Sequence, residues 1–94
     1  MHIEITEDDI MDGWPRDCEY CPVALAVCRA LAIPPRWVNV ADTMLYLHLH
    51  LDEEEWAIAL PSVVKRFIND FDKGKDVHPF SFELPYEKHP DQRA

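Results

Sequence analysis

Three cysteines hold most of the reactive side-chain chemistry in this chain, and two of them stand close together. Cys18 and Cys21 form a C-x-x-C within "DCEYCPVALAVCRALA", and Cys28 follows seven residues after Cys21. That spacing suits three things: half of a zinc site, a dithiol couple, or the head of a buried helix. Zinc takes four thiolate or imidazole ligands in a tetrahedron, so a C-x-x-C needs a second half. There is no second C-x-x-C and no H-x(3–5)-H, which leaves His48-x-His50 as the remaining pair. A site built from Cys18, Cys21, His48 and His50 requires the polar face of a strand to meet the loop before the helix. Cys28 does not join it, because seven helical residues rise about 10.5 Å from Cys21. That rise also excludes a disulfide between Cys21 and Cys28 within one helix.

A redox couple calls for its first cysteine at a helix N-terminus, where the helix dipole lowers the thiol pKa. Here Pro22 follows the second cysteine, so Cys21 takes the cap position and Cys18 falls in the loop. The residues favour structural thiols, with Cys28 a small core residue. A zinc-binding module is the alternative, and a thiol oxidoreductase ranks below it.

A second group of candidates lies in "MLYLHLHLDEEEW". Leu45, Leu47, Leu49 and Leu51 alternate with Met44, Tyr46, His48 and His50, so a strand puts leucines on one face and the polar and aromatic residues on the other. Asp52, Glu53, Glu54 and Glu55 follow at the turn. Neighbouring carboxylates can do acid–base work or hold a divalent ion, but on a hairpin tip they are ordinarily a hydrated turn. The chain has no phosphate-cradling glycine loop, no nucleophile elbow and no Cys–His catalytic signature. No catalytic residue is assigned, and the expectation is a protein that is not an enzyme. Tyr46, His48 and His50 with Asp52–Glu55 are the candidate partner-binding surface, since aromatic residues and methionine are enriched at interface cores.

The elements that must position these residues follow from pattern. His2–Thr6 reads as a strand, and Thr6 before "EDDIMDG" reads as an N-cap followed by a turn or two of helix that stops at Gly13. Pro22 suits a first helical position, so Pro22–Leu31 is a helix, apolar nearly all round except at Arg29, until "IPP" ends it. Trp37–Ala41 leads into the leucine strand, "DEEE" turns, and Trp56–Leu60 returns antiparallel. Pro61 opens a helix with Val63, Val64, Phe67, Ile68 and Phe71 on one face, capped at Gly74. Pro79–Leu84 is a last strand. The order is β-α-β-β-α-β, which predicts an α+β fold: a mainly antiparallel sheet covered on one face by two helices. Residues 1–86 form a single domain, and 87–94 a charged tail.

Composition sets outer bounds. Of 94 residues, 48% are hydrophobic and 11% aromatic, enough for one core and unlike a disordered chain. The net charge of -9 provides none of the basic footprint that direct nucleic-acid binding needs; it suits a solvated surface or one that competes for a basic partner. "MHIEITEDD" has no signal-peptide pattern, and the apolar run Pro22–Cys28 is shorter than the roughly 20 residues of a membrane helix. The expectation is a cytoplasmic protein without a membrane partner, its odd cysteine count consistent with reduced thiols.

"CEYCPVALAVCRAL" and "IALPSVVKRFINDFDKGKDVHPFSFEL" resemble a group of small, uncharacterised proteins of tailed bacteriophages and prophages. That group carries a C-x-x-C-P-V-A-L-A helix start and an "LP..V..FI..FD.G..V.PF.F.L" ending. The likeness covers Cys18–Leu31 and Leu60–Leu84 and leaves the hairpin unmatched. It implies a phage or mobile-element origin, the host cytoplasm as location, and no established activity; it transfers no catalytic residue. The expected function is that of a non-enzymatic accessory protein that binds a macromolecular partner, its sharpest version an acidic anti-defence inhibitor. A homodimer through the open sheet face or an edge strand is a further expectation.

Overall fold

A computed structural model describes residues 1–41, 43–49 and 54–85, backbone only at Leu49 and Glu54. The chain is an α+β domain whose elements run β1 (His2–Ile5), α1 (Glu7–Asp12), α2 (Pro22–Leu31), a short 3-10 turn (Pro35–Trp37), β2 (Val38–Val40), β3 (Met44–Leu49), β4 (Glu54–Ala59), α3 (Ser62–Asp72) and β5 (Phe80–Glu83). Among the described residues all pairing is antiparallel and falls into two ladders, β1–β5 and β2–β3–β4. The division differs from a single sheet because the first and last strands pair with each other, Ile3 opposite Phe82, and not with the hairpin. The protonated N-terminus reinforces that closure by donating to the Leu84 carbonyl (2.7 Å). The residues between "IPP" and the hairpin supply the extra strand β2, whose Val38 and Val40 are buried and pair with Leu47 and Leu45.

Helix α2 is the hub. Val23, Ala24, Ala26 and Val27 are each at most 1% exposed, and the helix packs on β1, on β2 and on α1. An apolar helix with only Arg29 and Ala30 in the open needs walls on several sides, and the two ladders provide them. Phe67 of α3 packs on Phe80 of β5 with ring centroids 5.0 Å apart. Leu45 and Leu47 are fully buried, as the alternation requires.

The ends of the elements have identifiable causes. Thr6 and Asp9 form a reciprocal capping box at α1, the Asp9 N–H donating to Thr6 Oγ1 and the Thr6 N–H to Asp9 Oδ2. Gly13 closes α1 against the head of α2, where a Cβ would stand 2.5 Å from the Pro22 ring, so only glycine permits that approach. Pro61 serves as the N-cap of α3 and not as its first helical residue, because its ψ of 155° is still extended. At the far end Gly74, with φ 76°, donates to the Phe71 carbonyl while Lys75 donates to that of Asp70. These two bonds make a Schellman motif. The same motif closes α2, through Ala32 to Arg29 and Ile33 to Cys28, but with an alanine at φ 56° in the left-handed position.

Candidate functional site

Positions of the two C-x-x-C thiols follow from the helix start. Cys21 has extended backbone and caps α2: its sulfur accepts from the Ala24 N–H at 3.4 Å, and its side chain is 5% exposed. Burial pushes its thiol up to about 11, outweighing the backbone hydrogen bonds that favour the thiolate. Burial does the same to Cys28, also to about 11. Both hold their protons at neutral pH, so neither is a ready nucleophile. Cys18 is exposed on the loop before them, and all three thiols are free.

That loop is held from three directions. The Cys18 carbonyl accepts from the Val40 N–H of β2 (2.8 Å). The Asp17 carboxylate accepts from the N–H groups of Glu19 and Tyr20 (2.9 and 2.8 Å). Arg16, at φ 56°, donates its backbone N–H to the Asp72 carboxylate and its guanidinium to the Asp72 carbonyl, fastening the loop to the end of α3. Beneath lies a cleft of about 340 Å3 lined by Arg16, Asp17, Cys18, Cys21, Val40, Ala41, Ile68 and Asp72. The cleft brings Cys18 and Cys21 together with two carboxylates, but the described residues contain no group of three or more side chains arranged to hold a metal ion. His48 is not brought to it: it lies on the face of β3 opposite Leu45 and Leu47, which are turned into the core. His50 lies outside the described residues, as do Asp52, Glu53 and the tail 87–94.

The sheet face carries the other candidates. Register places Asn39, Tyr46 and Ala57 side by side, His48 opposite Glu55, and Met44 opposite Ala59. Asn39, Tyr46, His48, Glu55, Ala57 and Ala59 are all exposed, so no element of the described chain covers this face. His48 Nδ1 stands 3.9 Å from a Glu55 carboxylate oxygen, a loose exposed contact. Tyr46 and His48 thus share an open face as the alternation predicts. Of the acidic turn, Glu55 is placed at the base of that face and Glu54 begins β4.

Pattern reading missed an ion pair whose carboxylate is buried. Asp9, one of three consecutive acids in the sequence, is 4% exposed. Burial alone would raise its pKa. Hydrogen bonds from Arg29 and Thr6 outweigh that and hold its carboxyl below the ordinary value. The Arg29 fork meets both carboxylate oxygens (2.7 and 2.8 Å) and also donates to the Glu4 carbonyl (2.8 Å), joining α2 to α1 and to the end of β1. The signal was the single charged side chain of an otherwise apolar helix, which supplies the partner that the buried Asp9 carboxylate needs. Its role is architectural.

No family model, curated protein or solved structure matches the chain. The class is therefore defined by fold and surface alone: a small α+β domain with a buried carboxylate held by a half-exposed arginine, and one sheet face that the described residues leave open. No helix of the described residues is long and apolar enough to cross a membrane.

Proposed function

We propose that this chain is a non-enzymatic accessory protein, of phage or mobile-element origin, that works by binding a macromolecular partner through the open face of β2–β3–β4. One observation carries the reading: Tyr46 stands on that face among Ala57, Ala59 and Asn39, with nothing of the described chain packed over them. An aromatic ring among small residues on a hydrogen-bonded sheet loses little freedom when covered, which favours association. His48, Glu55 and the acids of the turn would form its rim. The anti-defence version rests on the net charge of -9, which suits a partner that otherwise binds nucleic acid.

Photo-crosslinking tests it. p-Benzoylphenylalanine at position 46 is expected to give a discrete adduct in host extract, and the same group at position 65, on the exposed side of α3, to give none. Equal labelling from both positions would sink the reading. Replacing Glu53, Glu54 and Glu55 together with lysine is expected to abolish the adduct if charge mimicry operates; an undiminished adduct removes the mimicry and leaves the face.

A further inference from the structure

We propose that the loop between α1 and α2 is a second docking surface, with Trp14 as its anchor, and that its occupant is a cationic amphipathic segment of another protein. The proposal rests on the reading that the chain works by binding, and it places the contact on different elements from the sheet face. Met11, Trp14 and Tyr20 are 77%, 66% and 46% exposed, the three most solvent-open large apolar residues of α1 and this loop. They are not strewn at random. The Trp14 backbone N–H donates to the Tyr20 carbonyl at 2.9 Å, so the loop closes with the two aromatic residues adjacent along its backbone. Met11 stands in the last turn of α1, three residues before Trp14 in the chain.

The loop is already ordered. Asp17 ties down its far side, Asp72 grips Arg16, and Val40 holds Cys18. Exposed aromatic side chains on a fastened loop lose little further freedom on binding. Tryptophan and tyrosine are also the side chains over-represented among residues that dominate binding energy.

Charge selects the occupant. Residues 7–20 contain six carboxylates, Glu7, Asp8, Asp9, Asp12, Asp17 and Glu19, against the single cation Arg16. Arg16 is engaged by Asp72, and Asp9 is matched from outside the segment by Arg29. The segment that carries the aromatic side chains thus has a clear excess of carboxylates over cations. Like charges oppose a second copy of this chain here, and an anionic bilayer is repelled for the same reason. A segment that alternates apolar side chains with lysine or arginine fits both features, its cations also suited to the faces of Trp14 and Tyr20.

The probe is a synthetic amphipathic helix of leucine and lysine, fluorescently labelled and titrated with the full chain by anisotropy. The unaltered chain is expected to bind it at about 10 μM or tighter, and more weakly as salt rises. Trp14→Ala is expected to weaken binding about tenfold or more, Met11→Ala and Tyr20→Ala by less, and Tyr46→Ala not at all. Since all three loop side chains are exposed, unchanged melting curves will show that the variants fold; the Met11 and Tyr20 variants carry the test should Trp14→Ala alone melt early. Binding that ignores all three substitutions means attraction by net charge only and overturns the proposal, as does no binding by the unaltered chain. Loss on Tyr46→Ala alone overturns it while sparing the sheet-face reading. Trp14-dependent self-association, or Trp14-dependent binding to phosphatidylglycerol vesicles, would overturn the assigned occupant.

Discussion

The α1–α2 region and the β2–β3–β4 sheet stay folded by different means, and the difference separates structural exposure from available exposure. In the first region, irregular chain is fastened point by point: Asp9 by Arg29, Arg16 by Asp72, Gly13 against Pro22, Cys18 by Val40. In the second, ladder hydrogen bonds carry the structure, and every other side chain is released from that duty. Arg29 has a side chain 51% exposed, yet it holds three elements together. Tyr46, at 37% exposed, faces away from the core and is available. Accessibility alone would not tell these two apart, since both are exposed.

The sharpest way to break this comparison uses two neighbours on one strand. Leu47 is fully buried, so Leu47→Ala is expected to cost about 3 kcal/mol in urea unfolding. Tyr46→Ala should stay within about 0.5 kcal/mol. If Tyr46→Ala cost as much as Leu47→Ala, the face would not be open and the proposed binding surface would fall with it.

Next in size is Arg29→Ala, which strands a buried carboxylate. Breaking a fully buried pair costs about 3–5 kcal/mol; with Arg29 half exposed, about 2 kcal/mol is expected. The pH dependence identifies the cause. Asp9 titrates below its ordinary value in the folded protein, so its contribution is complete above the unfolded carboxyl value near 3.8 and is lost as pH falls through the lower folded value. The gap between parent and variant should therefore be full at pH 6 and close in strongly acid solution. A gap that does not narrow at all as pH falls would mean that the arginine acts through packing.

The cysteines compare the two kinds of exposure within three residues. A maleimide reagent is expected to label Cys18 alone in the folded chain and to reach Cys21 and Cys28 only after unfolding, since these are buried and remain protonated. Cys18→Ser should melt within about 0.5 kcal/mol of the parent. A loss of several kcal/mol accompanied by sensitivity to chelator would instead establish the zinc module, because metal affinity in such domains is folding free energy.

Local signals in the sequence were legible and non-local ones were not. Pro22, the Thr6 cap, the leucine alternation and Gly74 each act within a few residues, and the elements they imply are present. The shared face of Tyr46 and His48 was legible for the same reason, since period two suffices to find it. Pairing of β1 with β5 depends on a contact between the two ends of the fold, and the burial of Asp9 on an arginine twenty residues away. Neither leaves a pattern in a short window. Trp14 and Tyr20 were opaque because an aromatic residue in a loop reads as core as readily as surface.

A final substitution runs in the stabilising direction and acts only on the fastened region. Ala32 closes α2 in the left-handed conformation, where a Cβ crowds the following carbonyl at a cost of about 1–2 kcal/mol. Ala32→Gly removes that crowding and adds unfolded-state entropy, a penalty of roughly 0.5–1 kcal/mol. A net gain of about 0.5 kcal/mol is expected. Ala32 is exposed and its two closing hydrogen bonds come from backbone groups, so nothing else need change. If glycine there raised the melting temperature and left the Tyr46 adduct untouched, folding and binding would be separable in this chain, as the contrast between its two regions requires. A loss of stability would mean that "IPP" alone ends the helix and that the left-handed turn at Ala32 carries no strain to relieve.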